Sequence, residues 1–260
     1  MDDRLTTARH FYSNLAASPQ SATVRAGRHE GDAEVESAVW QDMLAKLAVT
    51  EGQAILDVGV GGGFIASQWA ALAVQLDLAL TFIDFDEVLA RLEDEMQSSH
   101  SVALPRIRFM GGTFPFSFDP EFLAQEQFDR IALYSVIHYT DRPRMVVDAA
   151  ARMLRPGGRL LIGDIPNLDK KGRFLATEGG RRFDAAYRNV SPDSLPRYPG
   201  YRDFTKQALA AGAPPLDDDF VLDLVVSYRR KGFQAYIVEQ PDNLPFSRTR
   251  EDVLLCAPDE

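Results

Sequence analysis

The feature that most constrains this chain is a short apolar run that leads directly into a glycine-rich loop. Residues 54–58 read Ala-Ile-Leu-Asp-Val, and glycines follow at positions 59, 61 and 63. A continuous apolar run of this length predicts a strand buried on both faces. Residues 64–76 carry large apolar side chains at helical spacing, which predicts a helix directly after the loop. Strand, glycine loop and helix together form the first half of a βαβ nucleotide-binding unit.

The glycines of this loop indicate a ligand held against bare backbone. A residue without a Cβ lets the chain turn sharply and lets a ligand approach closely, and the following helix N-terminus offers free N–H groups. Asp57 stands two residues before the first glycine. An acid at this position would repel a pyrophosphate, but it suits a cationic ligand with an amino group. A glycine-rich turn without a ligand is the alternative, and the agreement of strand, acid and helix argues against it.

The spacing D-x-G-x-G-x-G, formed by Asp57, Gly59, Gly61 and Gly63, resembles the first motif of the class I S-adenosylmethionine (SAM) dependent methyltransferases. The resemblance covers roughly 54–164 by motif and 220–257 by pattern. It implies that these four residues bind SAM and that the chain is an enzyme that transfers the SAM methyl group.

Beyond the loop, predicted strands alternate with predicted helices. Further strands are expected at 78–83, 106–110, 128–134, 159–163, 233–239 and 252–257, and helices at 86–98, 142–154 and 220–231. This alternation predicts a parallel sheet with both faces covered by helices. The last two strands are joined by a loop without a helix, so they must pair antiparallel. We therefore expect an α/β fold, a doubly wound and mostly parallel seven-stranded sheet with an antiparallel C-terminal hairpin.

Two regions are appended to this core, and the whole chain 1–260 is expected to form a single domain. Residues 1–50 contain amphipathic patterns that predict helices at 3–17 and 33–47. These helices can cover the cofactor site as a lid, or they can merely pack on the sheet. The SAM-binding core is expected over 51–165, and it is completed by 220–260.

Residues 166–219 break the rhythm of strands and helices. They are rich in Pro, Gly, Arg and Tyr, and only short helical pieces are expected, near 172–188 and 201–211. A segment this long between core elements is usually functional or disordered. Its aromatic and basic residues favour an ordered cap that determines substrate specificity. These residues suit a polar methyl acceptor, which includes an anionic one.

An acid and an aromatic residue are expected to hold the cofactor beside the glycine loop. Asp84 ends the second predicted strand, 21 residues after Gly63 (84 − 63). Folds of this kind place a ribose-binding carboxylate at about this interval, ~20 residues. We therefore expect Asp84 to bind the ribose of SAM and Phe85 to lie against its adenine. The alternative role for Asp84, capping the next helix, can be filled by Asp86.

The expected adenine end departs from the family pattern. After the third strand the family commonly has Gly-Asp, whereas this sequence has Gly111-Gly112-Thr113. Gly112 has no side chain that could bind an adenine amino group. Contacts at this end are therefore expected from backbone groups or from Thr113.

The segment after the fourth strand carries the candidate catalytic residues. Ser135 ends a run that resembles the fourth motif of the family, where the strand lies beside the methyl group. The following run, Val136-Ile137-His138-Tyr139-Thr140-Asp141, resembles the histidine-containing element of several small-molecule O-methyltransferases. His138 is the expected general base, because an imidazole titrates near neutrality. The alternative is that it only packs or holds the loop, and then Tyr139, His29 or Asp164 serve as base.

One further phrase is typical of the family but is expected to be structural. Pro156-Gly157-Gly158 should end the preceding helix and turn the chain into the fifth strand.

Composition limits the partners. The net charge is −10, which argues against nucleic acid, because neutralising phosphates needs clustered Lys and Arg. The single cysteine, Cys256, excludes an internal disulfide and a Cys-based zinc site and fits a reducing compartment. No apolar run is long enough to span a membrane, and the N-terminal residues lack a signal core. We expect a cytoplasmic enzyme that methylates an oxygen or nitrogen atom of a small molecule, such as a sugar or a natural-product intermediate. No metal, nucleic acid or membrane partner is expected, and a homodimer is allowed.

Two other functions stay open from the sequence. An NAD(P)-dependent oxidoreductase uses the same type of fold, but it needs G-x-G-x-x-G, and here the third glycine comes one place early and residue 64 is Phe. A non-catalytic SAM-binding scaffold is the other alternative, kept open by the missing acid at position 112 and by the uncertain base.

Overall fold

A computed structural model of the chain describes residues 3–18, 33–99, 101–197 and 200–259. His29, one of the reserve candidates for the base, lies outside the described residues.

A seven-stranded sheet with the strand order β3-β2-β1-β4-β5-β7-β6 forms the centre of the fold. Its strands are β1 Ala54–Val58, β2 Ala79–Asp84, β3 Ile107–Gly111, β4 Phe128–Tyr134, β5 Leu154–Pro166, β6 Gln234–Val238 and β7 Arg250–Cys256. Strands β1 to β5 pair in parallel, and β7 lies antiparallel between β5 and β6. The predicted fold class, a mostly parallel sheet that ends in an antiparallel hairpin, is confirmed.

Helices cover both faces of this sheet. They are α1 Asp3–Ala16, α2 Ala33–Leu47, α3 Phe64–Leu76, α4 Asp86–Ser99, α5 Pro120–Gln125, α6 Pro143–Arg152, α7 Leu168–Leu175, α8 Glu178–Arg188, α9 Asp203–Ala210 and α10 Asp218–Arg230. Short 3₁₀ turns lie at Leu104–Arg106, Ile137–Tyr139 and Pro192–Ser194. One apolar cluster joins α6 and α10 to the sheet, and a second joins α2, α3 and α4 to it. This double cover explains why the central strands β1, β2 and β4 consist mainly of buried apolar residues.

The fifth strand begins earlier than the sequence predicts. Helix α6 ends at Arg152, and Leu154 already pairs with Phe128. The next paired position is Arg159 with Arg130, so the expected turn at residues 156–158 is a bulge inside β5. Gly157, with φ +69°, allows this bulge, and its N–H donates to the carbonyl of Pro258. The segment therefore connects two parts of one strand instead of a helix and a strand.

The described part of residues 166–219 contains three helices, α7, α8 and α9, before α10 begins at Asp218, instead of the two pieces that the sequence predicts. The first expected piece is divided because Thr177 caps α8, its hydroxyl accepting from the N–H of Gly180 at 2.9 Å. This region is fixed to the core through buried polar contacts. Asn167, which is buried, donates to Glu251 of β7 at 3.2 Å and to Asp218 at the start of α10 at 2.8 Å. Within the region itself, Thr205 of α9 donates to the carboxylate of Asp169 of α7 at 2.8 Å.

Candidate active site

A cavity of about 550 Å³ opens at the carboxyl ends of the central strands. It lies where the strand order reverses between β1 and β4, the position at which open α/β sheets bind ligands. Its volume is within the range of ligand pockets, roughly 300–1,000 Å³. The expected site residues that line this one cavity are Asp57, Gly59, Gly61, Gly63, Asp84, Phe85, Gly112, Thr113, Ser135, His138, Tyr139 and Asp164. Their individual roles stay predictions.

The glycine loop has backbone angles that favour glycine. Gly59 and Gly61 have φ values of +74° and +66°. A Cβ on Gly59 would lie 2.5 Å from Cγ2 of Val136, so this position has no room for a side chain. A Cβ on Gly61 would meet no atom within 4 Å, because this residue borders open space. Gly63, at the N-cap of α3, offers no side-chain oxygen to the first turn, whose N–H groups are therefore open to a ligand.

Asp57 lies at the floor of the cavity and is 3% exposed. Its Oδ2 accepts a hydrogen bond from Nε1 of Trp69 at 2.8 Å. Burial raises the pKa of Asp57 to about 7; the bond from Trp69 opposes this shift and the charge of Asp84 adds to it. A positively charged group in the cavity would therefore stabilise the ionised form of this acid.

Asp84 is held against the glycine loop. Its Oδ2 accepts from the N–H of Gly61 at 2.8 Å, and its Oδ1 accepts from the N–H of Phe85 at 2.7 Å. Burial raises the pKa of Asp84 to about 6, although both bonds favour the carboxylate. A carboxylate has about four lone-pair directions, so two backbone bonds orient it and leave capacity for a diol.

The expected adenine end offers few free backbone donors. The N–H of Gly112 donates to the carbonyl of Asp84 at 2.9 Å, and the N–H of Thr113 donates to Oγ of Ser117 at 3.0 Å. Backbone contacts with adenine, one of the two options from the sequence, are therefore limited to carbonyl groups at these residues. The side chain of Thr113 is the other option, and Phe114 adds a buried apolar wall.

Two strained residues meet at the ends of β4 and β5. Ser135 has φ +60° and Asp164 has φ +58°, values that are uncommon outside glycine. Oγ of Ser135 donates to Oδ2 of Asp164 at 2.9 Å, and the N–H of Asp164 donates to the buried carboxylate of Asp252 at 2.7 Å. Strain of this kind is concentrated at functional sites.

His138 lies in the 3₁₀ turn that follows β4. Its Nδ1 is buried and has no hydrogen-bond partner. Burial, together with the charges of Arg250 and Arg4, lowers the pKa of His138 to about 3. The imidazole is therefore neutral at physiological pH. Its neighbour Tyr139 shares a hydrogen bond of 2.6 Å with the hydroxyl of Tyr12 on α1.

Several cavity residues carry no sequence signal that could have revealed them. Gln240 lies in the loop between β6 and β7; its Nε2 donates to Asp252 at 2.7 Å, while its buried Oε1 has no partner. Arg250 begins β7, and Glu36 of α2 is only 1% exposed. In the described part of the chain four buried side-chain atoms lack a partner, and two of them belong to the cavity residues His138 and Gln240. Because unpaired buried groups are costly, these two cavity residues are candidates for binding a polar ligand.

The N-terminal helices reach the cavity as well. Helix α1 contributes Leu5, Ala8 and Tyr12, and α2 contributes Val35, Glu36, Val39 and Met43. Helix α2 is part of the apolar core. Helix α1 is attached through the bond between Tyr12 and Tyr139 and through Arg9. Arg9 pairs with Asp86 and Glu87 in solvent, and such exposed pairs are weak.

The arginines of residues 166–219 do not reach the cavity, in contrast to the expectation that they face the acceptor. Tyr187 is the one residue of this segment, among those described, that lines it. Arg182 and Arg188 pair with acids one turn away in their own helix, and Arg202 pairs with Asp217 and Asp219. Among the described residues that line the cavity, the cation is Arg250.

Three features together are typical of the Rossmann-like methyltransferases. They are the strand order with β7 inserted antiparallel, the glycine loop after β1 and the acid at the end of β2. Residues 56–160 match the family model described as "Methyltransferase domain". The chain therefore carries a class I SAM-dependent methyltransferase domain.

Relatives support this assignment. A ubiquinone biosynthesis O-methyltransferase of Xylella fastidiosa is 30% identical over 129 residues, which are 48% of this chain and 46% of the relative. An O-methyltransferase of Aspergillus nomiae is 34% identical over 136 residues, 50% of this chain and 56% of the relative. The chain thus spans about half the length of the relatives it matches.

Solved structures share the fold. A phosphoethanolamine N-methyltransferase of Haemonchus contortus, in complex with phosphoethanolamine and S-adenosylhomocysteine, has a TM-score of 0.55 and 13% identity. The match covers 98% of this chain and 49% of that protein. At this identity the likeness shows the fold alone.

Within the described ranges, no helix combines the length and the apolar character that crossing a bilayer requires. Nor does that part of the chain contain three or more His, Cys, Asp or Glu side chains grouped so that they could hold a metal ion.

Proposed function

We propose that the protein transfers the methyl group of SAM to a small-molecule acceptor, by O- or N-methylation. The observation that carries this proposal is the shared cavity, which joins the glycine loop and Asp84 to the strained Ser135–Asp164 pair and the unpaired nitrogen of His138. The relatives that are O-methyltransferases favour an oxygen acceptor.

The cofactor is assigned to the end of the cavity between β1 and β2. Asp84 accepts hydrogen bonds from the ribose hydroxyls, and Phe85 lies against the adenine. Gly59, Gly61 and Gly63 leave room for the part of the cofactor that carries the sulfur. Asp57 favours the cofactor's positive charge, because its pKa of about 7 leaves it partly ionised at neutral pH. Gly112 and Thr113 border the adenine, and Ser135 lies between the cofactor and the acceptor.

The acceptor is assigned to the end of the cavity near β4, β5 and β7. Methyl transfer is an in-line displacement, so the protein must align the acceptor atom with the methyl group and sulfur. His138 as general base stays part of the proposal. Its neutral imidazole can accept a hydrogen bond at Nδ1, but its pKa of about 3 makes it a weak base. Such a base suits an acceptor that is itself acidic; Tyr139 and Asp164 are the alternatives.

The flanking regions have assigned roles as well. Within residues 1–50, helix α1 forms a lid, supported by the contacts of Leu5, Ala8 and Tyr12 with the cavity, whereas α2 packs on the sheet. Residues 166–219 form a cap, supported by Tyr187. A cytoplasmic location and a homodimer stay predictions.

Binding and turnover experiments separate this function from its alternatives. We expect S-adenosylhomocysteine to bind with micromolar affinity in calorimetry, NAD(H) and NADP(H) not to bind, and Asp84→Ala to weaken S-adenosylhomocysteine binding at least tenfold. Preferred binding of NAD(P) would show an oxidoreductase. Labelled SAM incubated with an acceptor library then tests catalysis, because a scaffold binds the cofactor but transfers no label.

A further inference from the structure

Arg250 provides a positive charge with few partners inside the cavity. It is the first residue of β7 and lies opposite Pro166, at the carboxyl end of β5. Its Nη1 donates to the carbonyl of Asp164 at 3.2 Å. The nearest described carboxylate oxygen, Oδ2 of Asp164, is 3.8 Å away and already accepts from Ser135. A guanidinium has five N–H donors, so most of the hydrogen-bonding capacity of Arg250 is not used by the described residues.

Other positive charges act on the same end of the cavity. The charges of Arg250 and Arg4 both lower the pKa of His138, so both lie close to that imidazole. Burial lowers the pKa of Lys171; the charge of Asp184 opposes this shift, and the charges of Arg188 and Arg250 add to it. The opposite end contains the acids Asp57 and Asp84. The end near β5 and β7 contains Arg250 and one described lining acid, Asp164, whose carboxylate is 3.8 Å from the guanidinium and is hydrogen-bonded to Ser135. In a chain with a net charge of −10, Arg250 therefore makes this the end of the cavity that suits an anionic group, whereas Asp57 and Asp84 make the other end suit a cation.

Aromatic rings border Arg250 at the mouth. Its Cζ lies 5.5 Å from the ring centroid of Phe246, and the Phe246 ring lies 5.6 Å from that of Tyr187. Tyr187 is 58% exposed, so it marks the entrance. A flat acceptor can therefore lie along these rings with an acid group on the guanidinium, which binds carboxylate and phosphate in a bidentate manner.

We propose that Arg250 binds an acid group, a carboxylate or a phosphate, of the methyl acceptor and thereby selects acidic acceptors. The inference rests on the proposed function, because it needs the cofactor at the other end of the cavity.

The test uses the full chain loaded with S-adenosylhomocysteine and three probes of similar shape: benzoate, phenyl phosphate and the neutral benzamide. We expect at least one of the two anions to bind at least tenfold more tightly than benzamide in calorimetry. Phenyl phosphate and benzoate distinguish the two acid groups. Arg250→Gln should lose this preference, while its affinity for S-adenosylhomocysteine stays within about twofold of the wild type.

A matched control is available two residues earlier. Arg248 is 67% exposed, does not line the cavity and is 3.9 Å from Asp242. Arg248→Gln removes the same charge from the same segment and should leave the binding of every probe unchanged. Arg250→Lys keeps the positive charge but loses the paired N–H groups of the guanidinium, so it should retain part of the preference for anions over benzamide. This variant tests the role of Arg250 even if Arg250→Gln does not fold.

Three results would overturn the inference. The first is equal binding of the anions and benzamide by the wild type. The second is an anion preference that survives in Arg250→Gln. The third is a loss of S-adenosylhomocysteine affinity in a folded Arg250→Gln protein, which would assign Arg250 to the cofactor's own carboxylate. Failure of the wild type to bind S-adenosylhomocysteine would instead contradict the proposed function.

Discussion

The sharpest prediction concerns the open space beside Gly61. Replacing Gly61 with Leu puts a side chain where a Cβ meets no atom within 4 Å and where the cavity begins. The position has φ +66°, and a non-glycine residue in this region costs about 1–2 kcal/mol. For a chain of this size, 1 kcal/mol lowers the melting temperature by roughly 2–4 °C. The variant should therefore fold, with a melting temperature a few degrees below that of the wild type.

Gly212 supplies a control with the same backbone cost. It has φ +71°, its Cβ would also meet no atom within 4 Å, and it does not line the cavity. Gly212→Leu should lower the melting temperature about as much as Gly61→Leu, and the two variants then differ only in the place of the side chain.

The binding of S-adenosylhomocysteine should separate the two variants. We expect Gly61→Leu to lose at least about 100-fold in affinity, or roughly 2.7 kcal/mol, because the leucine occupies the space assigned to the cofactor. Gly212→Leu should bind within about twofold of the wild type. Calorimetry measures both affinities. Unchanged affinity in a folded Gly61→Leu protein, or equal losses in both variants, would refute the reasoning.

Three further predictions follow from single contacts. Gly59→Ala should lower the free energy of unfolding, measured by urea denaturation, by roughly 2–4 kcal/mol, because φ is positive and the new Cβ would contact Val136. Adding Val136→Ala should restore part of this stability, and no recovery would contradict the assigned contact. The pKa of Asp84 is about 6 in the folded protein and ~3.9 in an unfolded chain. The protonated Asp84 side chain therefore contributes fully to the stability of the unliganded protein below about pH 4, and this contribution is lost as the pH rises through 6. Asp84→Asn does not titrate, so between pH 4 and pH 8 its free energy of unfolding should rise by up to roughly 3 kcal/mol relative to that of the wild type. An equal difference in unfolding free energy between variant and wild type at the two pH values would contradict the raised pKa. Tyr12→Phe removes the bond to Tyr139 and should cost about 1 kcal/mol and speed S-adenosylhomocysteine release in stopped-flow measurements; unchanged release argues against the lid.

The sheet and the cofactor end could be predicted because their signals are local. Asp57, the three glycines and Asp84 each follow an apolar strand closely in sequence, and parallel strands bring their carboxyl ends to one edge. Periodicity also revealed all seven strands. It misplaced the start of β5, because the chain enters the sheet directly after α6 and the family-typical glycines form a bulge there.

The acceptor end could not be predicted in the same way. Gln240 and Arg250 flank a loop without a motif, and they reach the cavity because β7 inserts between β5 and β6. The sequence identified His138, but its low pKa depends on burial and on Arg4 and Arg250, which are distant in the chain. The cap arginines were expected at the acceptor because basic residues are dense there, but the helices of the cap direct them into pairs with their own neighbours.

A crystal structure with S-adenosylhomocysteine tests the central claim most directly. The account predicts ribose hydroxyls within hydrogen-bond distance of the Asp84 carboxylate, roughly 2.5–3.0 Å, and the sulfur directed towards Ser135 and His138. A nucleotide bound elsewhere on the molecule, or a ribose that leaves Asp84 without contact, would contradict it.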